Sequence, residues 1–458
     1  MTRRDRPAHA ANRAKDQGRH LRDADRISRA YSARVDRSRG WCGEHEILLQ
    51  AAIAGASFHG AASVKKQIVI ASFEISYDQP MVDDLQRRLA AVRWNDAVTT
   101  SWDQGTESGF LAAVIRYWRD HYNWRERLTA LNRLPHYRAT IDGYGVHFLH
   151  FRGRGDQPAP LLLMNGWPSS FVEYLRLAPL LRDGDPSFDV VIPTHPGFGF
   201  SDKPKVPYQV EPADLYPKLM TALGHDRFVV AGTDIGSGIA TRIALHHPRH
   251  VLALHVSAVA PKPDRPGDKP ATEAETAYAR RAATWSRDEG GYQAIQSSKP
   301  QTLAFGLADS PVGLASWIVE KFHGWTDCQD DLLSVWPMET LIDNLMIYWA
   351  TNTIGSSVRY YYEAMRLRPR LKPDDYVNAP TAVAMWPHDL ALAPRELADR
   401  LYNVHRYTVM PKGGHFPAWE TPELYVADLR ACAAAFAGRG LAIEKGSENG
   451  TTGVIIGG

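Results

Sequence analysis

The spacing of apolar positions divides the chain into two textures. Residues 78–93 place Val82, Leu85, Leu89 and Val92 at helical intervals, with Asp83, Asp84, Arg87 and Arg88 on the opposite face. Phe110 to His121 repeats that pattern, and an aromatic-rich segment follows from Tyr117-Trp118 through Trp124 to His136. These segments predict a helical N-terminal region with no strand of its own. Its apolar face must dock on another part of the protein. From about Tyr137 the pattern changes to short β-like runs. They are Tyr137–Ile141, Val146–Phe151, Pro160–Met164, Phe188–Pro193, Arg227–Gly232, Val251–Ser257, Thr381–Trp386 and His405–Met410. Helical stretches alternate with them at Phe171–Leu181, Ala213–Leu223, Ser237–His247, Arg395–Tyr402 and Pro422–Phe436.

Such alternation predicts an α/β fold, a mostly parallel, doubly wound sheet covered by helices on both faces. Residues 262–375 interrupt it; they are helical, rich in Trp and Tyr, and lack an evident strand. A helical insertion at that point is expected to sit as a lid over the carboxyl ends of the strands. The predicted organisation is a basic, disordered arm (1–66), a helical extension (67–136), an α/β core (137–261 and 376–437), a helical lid (262–375) and a loose Gly-rich tail (438–458).

Composition changes this picture little. A chain of 458 residues with 44% hydrophobic and 23% charged residues can bury a large core without disulfide or metal staples. Three cysteines, Cys42, Cys328 and Cys432, form no CxxC, which argues against zinc and suits a reducing cytoplasm. The most apolar early stretch, Ile47 to Phe58, is too short to span a bilayer, so no membrane anchor and no secretion signal are expected. Residues 1–40 hold twelve Lys/Arg against five Asp/Glu, a net +7 that leaves −5 on the remainder of a chain whose total is +2. A single aromatic, Tyr31, and no apolar stripe argue against nucleic acid as a partner for this arm.

The chemistry concentrates in three places. Arg227 to Ala240 reads as strand, tight turn and helix, and its turn Gly232-x-Asp234-x-Gly236 has the spacing of a nucleophile elbow with Asp in place of Ser. Alone the motif is weak, because an Asp before a helix is often only an N-cap. Asp389 follows the strand Thr381–Trp386, and His415 lies on the Gly413-Gly-His-Phe-Pro-Ala-Trp-Glu420 loop after the last strand. Nucleophile, acid, histidine is the chain order of α/β hydrolases.

A carboxylate nucleophile narrows the reaction. Serine attacking saturated carbon leaves an ether, which water does not readily cleave; aspartate leaves an ester, which it does. Asp is ionised at neutral pH and needs no base for the first step, and imidazole suits the second. Epoxides and alkyl halides are the substrates this implies, rather than esters or amides. The turn Met164-Asn165-Gly166-Trp167-Pro168 would supply one oxyanion-hole N–H from Trp167, and Ile235 the other. A cis bond before Pro168 would shape that turn.

Together these residues resemble the microsomal-type epoxide hydrolases, the branch with a helical N-terminal extension. The likeness runs from Phe73 to Phe436. It includes Tyr117-Trp118-Arg119, Asn132-Arg-Leu-Pro-His136, Asn165-Gly-Trp-Pro168, Pro196-Gly-Phe-Gly-Phe-Ser201, Gly232-Thr-Asp-Ile-Gly236, Ser310-Pro-Val-Gly-Leu-Ala315 and Gly413-Gly-His-Phe416. The resemblance implies two lid tyrosines that hold the epoxide oxygen, by local match Tyr292 and Tyr361, with Tyr360 and Tyr362 as rivals for the second. One departure is Asn165, where the family usually has His. His195 reads as loop structure, and Asp264 is a rival acid for His415.

The expected function is therefore an epoxide hydrolase opening an apolar epoxide to a vicinal diol, with Asp234, His415, Asp389, Tyr292 and Tyr361 as catalytic residues. No cofactor or metal is expected, and self-association is left open. A haloalkane or haloacid dehalogenase on the same triad is the alternative. The lid tryptophans Trp285, Trp317, Trp325, Trp336 and Trp349 suggest a bulky substrate or, equally, lid core.

Overall fold

The structure is a computed structural model that describes residues 68–437 apart from 261, 265, 266 and 391. The expected arm (1–66), the tail (438–458) and Cys42 lie outside the described residues. Nine strands form one sheet in the order β1-β2-β3-β5-β4-β6-β7-β8-β9. They are β1 Val69–Ser72, β2 His136–Ile141, β3 Tyr144–Phe151, β4 Ala159–Met164, β5 Phe188–Pro193, β6 Phe228–Gly232, β7 Val251–Val256, β8 Val377–Met385 and β9 Tyr402–Val409. From β5 across to β9 every neighbouring pair is parallel, while β1, β2 and β3 are antiparallel to their neighbours.

The expectation of a strandless extension is corrected by β1, which pairs with β2 from Val69↔Thr140 to Ser72↔Tyr137. Only Ile70 of its four residues is buried. So short a strand has no periodicity of its own, and its existence depends on a partner some seventy residues away. The predicted helix Phe171–Leu181 is a 3₁₀ turn, Phe171–Tyr174, followed by a separate helix, Leu177–Asp183. The predicted helix Arg395–Tyr402 stops at Asp399, and β9 begins at Tyr402.

Side chains along the central strands alternate between two cores. Leu161 and Leu163 of β4 join the cluster beneath the extension and the insertion. Leu162 and Met164 join the cluster under the helices Pro212–Ala222 and Ile235–His246. Both faces are thus covered, and a parallel sheet requires this.

Between β7 and β8 lie the helices Glu273–Asp288, Gly291–Ser298, Pro300–Asp309, Pro311–Trp325, Leu332–Val335, Met338–Thr351 and Ile354–Tyr362, the last running into a π turn at Glu363–Leu367. The extension docks on this insertion, which is the surface its apolar face required. Its helices Gln79–Ala90 and Ser108–Asp120 pack on Pro311–Trp325, and the second also packs on Met338–Thr351. Asp343, fully buried on that last helix, anchors the contact. It accepts from Tyr122 Oη at 2.7 Å and from Arg127 at 3.0 and 2.6 Å. Among the described residues no single helix is long and apolar enough to cross a membrane, although Pro300–Asp309 and Pro311–Trp325, bent by 116°, pass together on length and composition.

Candidate active site

Strand order reverses at β4: the chain moves from β4 outward to β5, then returns to place β6 on the other side. The crevice at the carboxyl ends of β4 and β6 is where an open α/β sheet binds ligands. Asp234 stands there, at the end of β6, with φ +49° and ψ −124°. A non-glycine residue is strained in that conformation. Both flanking glycines are needed: a Cβ at Gly232 would lie 2.3 Å from Gly236 backbone, and one at Gly236 would lie 2.2 Å from the Met164 carbonyl. Asp234 makes no side-chain cap bond to its helix. Its Oδ1 instead accepts the Trp167 N–H at 3.0 Å, so it is no ordinary N-cap.

The turn after β4 is built around that carboxylate. A Cβ on Gly166 would lie 1.9 Å from Asp234 Oδ1, so only glycine lets the two segments approach. The Trp167–Pro168 bond is cis. The Ile235 N–H, in the first helical turn, has no acceptor among the described residues. Asn165, the residue that departs from the family pattern, donates from Nδ2 to the Gly166 carbonyl at 3.1 Å and to Ser169 Oγ at 3.0 Å. Its own carbonyl accepts from His195 Nε2 at 2.8 Å, while His195 Nδ1 meets Tyr216 Oη at 2.7 Å. Burial pushes His195 down to about 4, so it is neutral and buttresses the turn. Ser169 donates to the buried Glu173 at 2.6 Å, whose carboxyl burial raises to about 8.

His415 Nδ1 lies 2.6 Å from Asp389 Oδ1, and Nε2 faces Asp234 Oδ2 at 3.5 Å. Burial alone would lower its pKa, but Asp389 and Asp234 outweigh burial and hold it well above the ordinary imidazole range. The loop carrying it is tied down by Glu420, which accepts N–H bonds from Gly414 (2.8 Å), Phe416 (2.8 Å) and Asp327 (2.9 Å). Burial raises Glu420 to about 7. Glu420 was visible in sequence only as the end of a motif; its three donors come from two separate segments, and no local signal marks them.

The insertion closes the site with aromatic rings. Tyr292 stacks on Trp167 at 5.5 Å and 8°, and Tyr361 meets the same indole edge-on at 5.9 Å. The two tyrosine rings are 5.9 Å apart, and burial raises both phenols far above the usual range. Of the rivals, Tyr360 turns to Phe198 and Arg368, and Tyr362 lies under Arg366. Trp325 packs edge-on against His415 at 4.9 Å, and Trp285 touches Tyr292. The other three lid tryptophans are packing residues: Trp336 stacks on Trp419, Trp317 donates to Gln296, and Trp349 lies under Arg88. Asp264, the rival acid, is exposed and pairs with Arg400 at 3.5 Å. Two insertion residues with no sequence signal hold the turn after β4. Asn344 donates to the Pro168 carbonyl at 2.8 Å and Tyr348 to the Ser169 carbonyl at 3.1 Å.

A mostly parallel sheet with an acidic residue on a strand–turn–helix elbow, facing a histidine on the loop after the last strand, defines an α/β hydrolase. Known proteins narrow this further. Residues 70–174 match the family described as epoxide hydrolase N terminus, and residues 159–422 match the alpha/beta hydrolase fold. A Stigmatella aurantiaca protein named for epoxide hydrolase activity is 37% identical over 375 residues, covering 79% of this chain and 84% of its own. Epoxide hydrolase 1 of Oryctolagus cuniculus is 32% identical over 402 residues, covering 79% and 88%. The crystal structure of juvenile hormone epoxide hydrolase from the silkworm Bombyx mori superposes with a TM-score of 0.73 at 30% identity, covering 82% of this chain and 96% of that one. The chain belongs to the epoxide hydrolase family, and the dehalogenase alternative is not favoured.

Proposed function

We propose that this epoxide hydrolase works through a covalent ester on Asp234. Asp234 Oδ2 attacks an epoxide carbon; the ring C–O bond breaks, its electron pair stays on oxygen, and that oxygen takes a proton from Tyr292 or Tyr361. Oδ1, already on the Trp167 N–H, becomes the ester carbonyl. Water then attacks the ester carbon, giving its proton to His415, while Trp167 and Ile235 hold the oxyanion. Collapse breaks the ester C–O bond, and the departing diol oxygen takes the proton held by His415. The second proton of the water passes from the re-formed Asp234 carboxyl to the tyrosinate, which restores the carboxylate and the phenol.

The observation that carries this reading is the placement of the Asp234 carboxylate between the Trp167 N–H at 3.0 Å and the His415–Asp389 pair. The electrostatics give the two steps an order. In the resting site two carboxylates keep His415 protonated. Esterification neutralises Asp234 and removes one of them, so the imidazole pKa falls and His415 releases its proton to solvent before it acts as base, regaining one once the carboxylate is restored. The aromatic lining from Trp167, Tyr292, Trp325 and Tyr361 supports an apolar epoxide as substrate.

The test is intact-protein mass after mixing a His415→Gln variant with aryl and alkyl epoxides. An adduct equal in mass to the epoxide, mapping to Asp234, is the expected result. A variant that turns over without an adduct, or an adduct on another residue, would sink the ester mechanism.

A further inference from the structure

On the helix Pro311–Trp325 the inward stripe is apolar (Leu314, Ile318, Phe322, Trp325), with one exception: Lys321 is only 6% exposed. Burying an ammonium is costly unless it has partners. Lys321 has two kinds. The carboxylate of the adjacent Glu320 pairs with it, and its Nζ lies over the ring of Tyr292, 4.8 Å from the centroid, and 5.8 Å from that of Trp325. Tyr292 is the ring stacked on Trp167, whose amide holds Asp234.

We propose that Lys321 is a positioning residue for the reaction, placing a positive charge against the π-face of Tyr292 to stabilise the negative charge that develops on that phenol as the epoxide opens. The inference rests on the reading of Tyr292 as a donor to the epoxide oxygen. In that step the Asp234–carbon bond forms, the ring C–O bond breaks, and the Tyr292 proton moves toward the departing oxygen. Electron density therefore grows on the phenol. Burial and the carboxylates Asp234, Glu320 and Asp389 resist a negative Tyr292, and the hydrogen bond with Tyr361 works the other way. A cation over an aromatic face attracts a phenolate more strongly than a phenol, so Lys321 favours the transition state over the ground state. Glu320 is the counter-charge that makes the buried ammonium tolerable.

The test is a double-mutant cycle on the alkylation rate, read in single turnovers by tryptophan fluorescence, with the decay of the ester followed separately. Lys321→Met is expected to slow alkylation about tenfold and leave ester hydrolysis within twofold, with Lys321→Arg restoring most of the rate. In a Tyr292→Phe background Lys321→Met should have no further effect. If Tyr292→Phe alkylates as fast as the parent, the assignment of Tyr292 falls, and the inference with it. If Tyr292→Phe is slow but Lys321→Met is harmless, or costs the same in both backgrounds or in both steps, the role of Lys321 is overturned and that of Tyr292 stands. Should Lys321→Met not fold, Lys321→Gln enters the same cycle with the same outcomes.

Discussion

At the scale of single residues, the site depends on the absence of side chains as much as on their presence. Asp234 occupies a left-handed backbone conformation because the turn between β6 and its helix is too tight for any other path, and the two elbow glycines let β4 and β6 close on it. Gly166 carries the sharpest constraint. Gly166→Ala puts a methyl carbon onto the position of Asp234 Oδ1, and the carboxylate must move by an ångström or more. Alkylation should fall at least about a hundredfold with the far-UV spectrum unchanged, measured as the burst rate of ester formation. Near-normal alkylation would mean that Asp234 is not held where the turn places it. The glycines of the elbow were legible in sequence from their spacing. That Gly166 lies against the Asp234 carboxylate was not, because the contact spans 68 residues and no local pattern records it.

At the scale of elements, local turn chemistry and long-range docking divide the work. β2 and β3 are joined by Asp142-Gly143, both at positive φ, with Ile141 opposite Tyr144. An Asp-Gly pair between apolar runs is a strong hairpin signal, and it could have placed β3 two residues earlier than the predicted start at Val146. The clamp of the extension on the insertion has no such signal. Asp343 lies on a helix that is buried nearly all round, and its partners Tyr122 and Arg127 are more than two hundred residues away. Burial raises its carboxyl even against the Arg127 guanidinium, so the pair is retained at a cost. Asp343→Ala leaves the buried Tyr122 hydroxyl without its acceptor and Arg127 with Glu339 alone, at 2.9 Å, and should cost about 3 kcal/mol. Chemical denaturation should show a lower midpoint. A loss below about 0.5 kcal/mol would place the clamp among ordinary surface pairs.

For the molecule as a whole, stability and pH are linked through groups buried in unfavourable protonation states. Glu173 has a folded pKa of about 8, above its unfolded value of about 4.5. Its contribution is therefore fully present below pH 4.5 and is lost as the pH rises through 8. His195 runs the other way: lowered to about 4, it stabilises the fold above pH 6.5 and loses that contribution as the pH falls toward 4. The two limbs bound a window of greatest stability. Glu173→Gln removes the alkaline one and should raise the unfolding midpoint at pH 8 by the equivalent of up to about 4 kcal/mol, with little change at pH 4.5. An equal shift at both pH values would show that Glu173 does not titrate on unfolding.

The chain alone determined its fold class, most strand positions, and the candidate nucleophile, acid and base, because periodicity and turn spacing are local properties written in consecutive residues. It also placed Tyr292 and Tyr361 as candidates by likeness to a family. Tertiary structure decided the rest. It added β1, whose four residues are ordered by pairing, and it separated Tyr361 from Tyr360 and Tyr362, which differ only in the direction they face around one helix. It turned Asp264 outward and brought Asn344, Tyr348, Glu420 and Lys321 to the site. Each of these outcomes depends on contacts between distant segments. Burial and direction in space are properties of the packed whole, and residue order constrains them only through the fold.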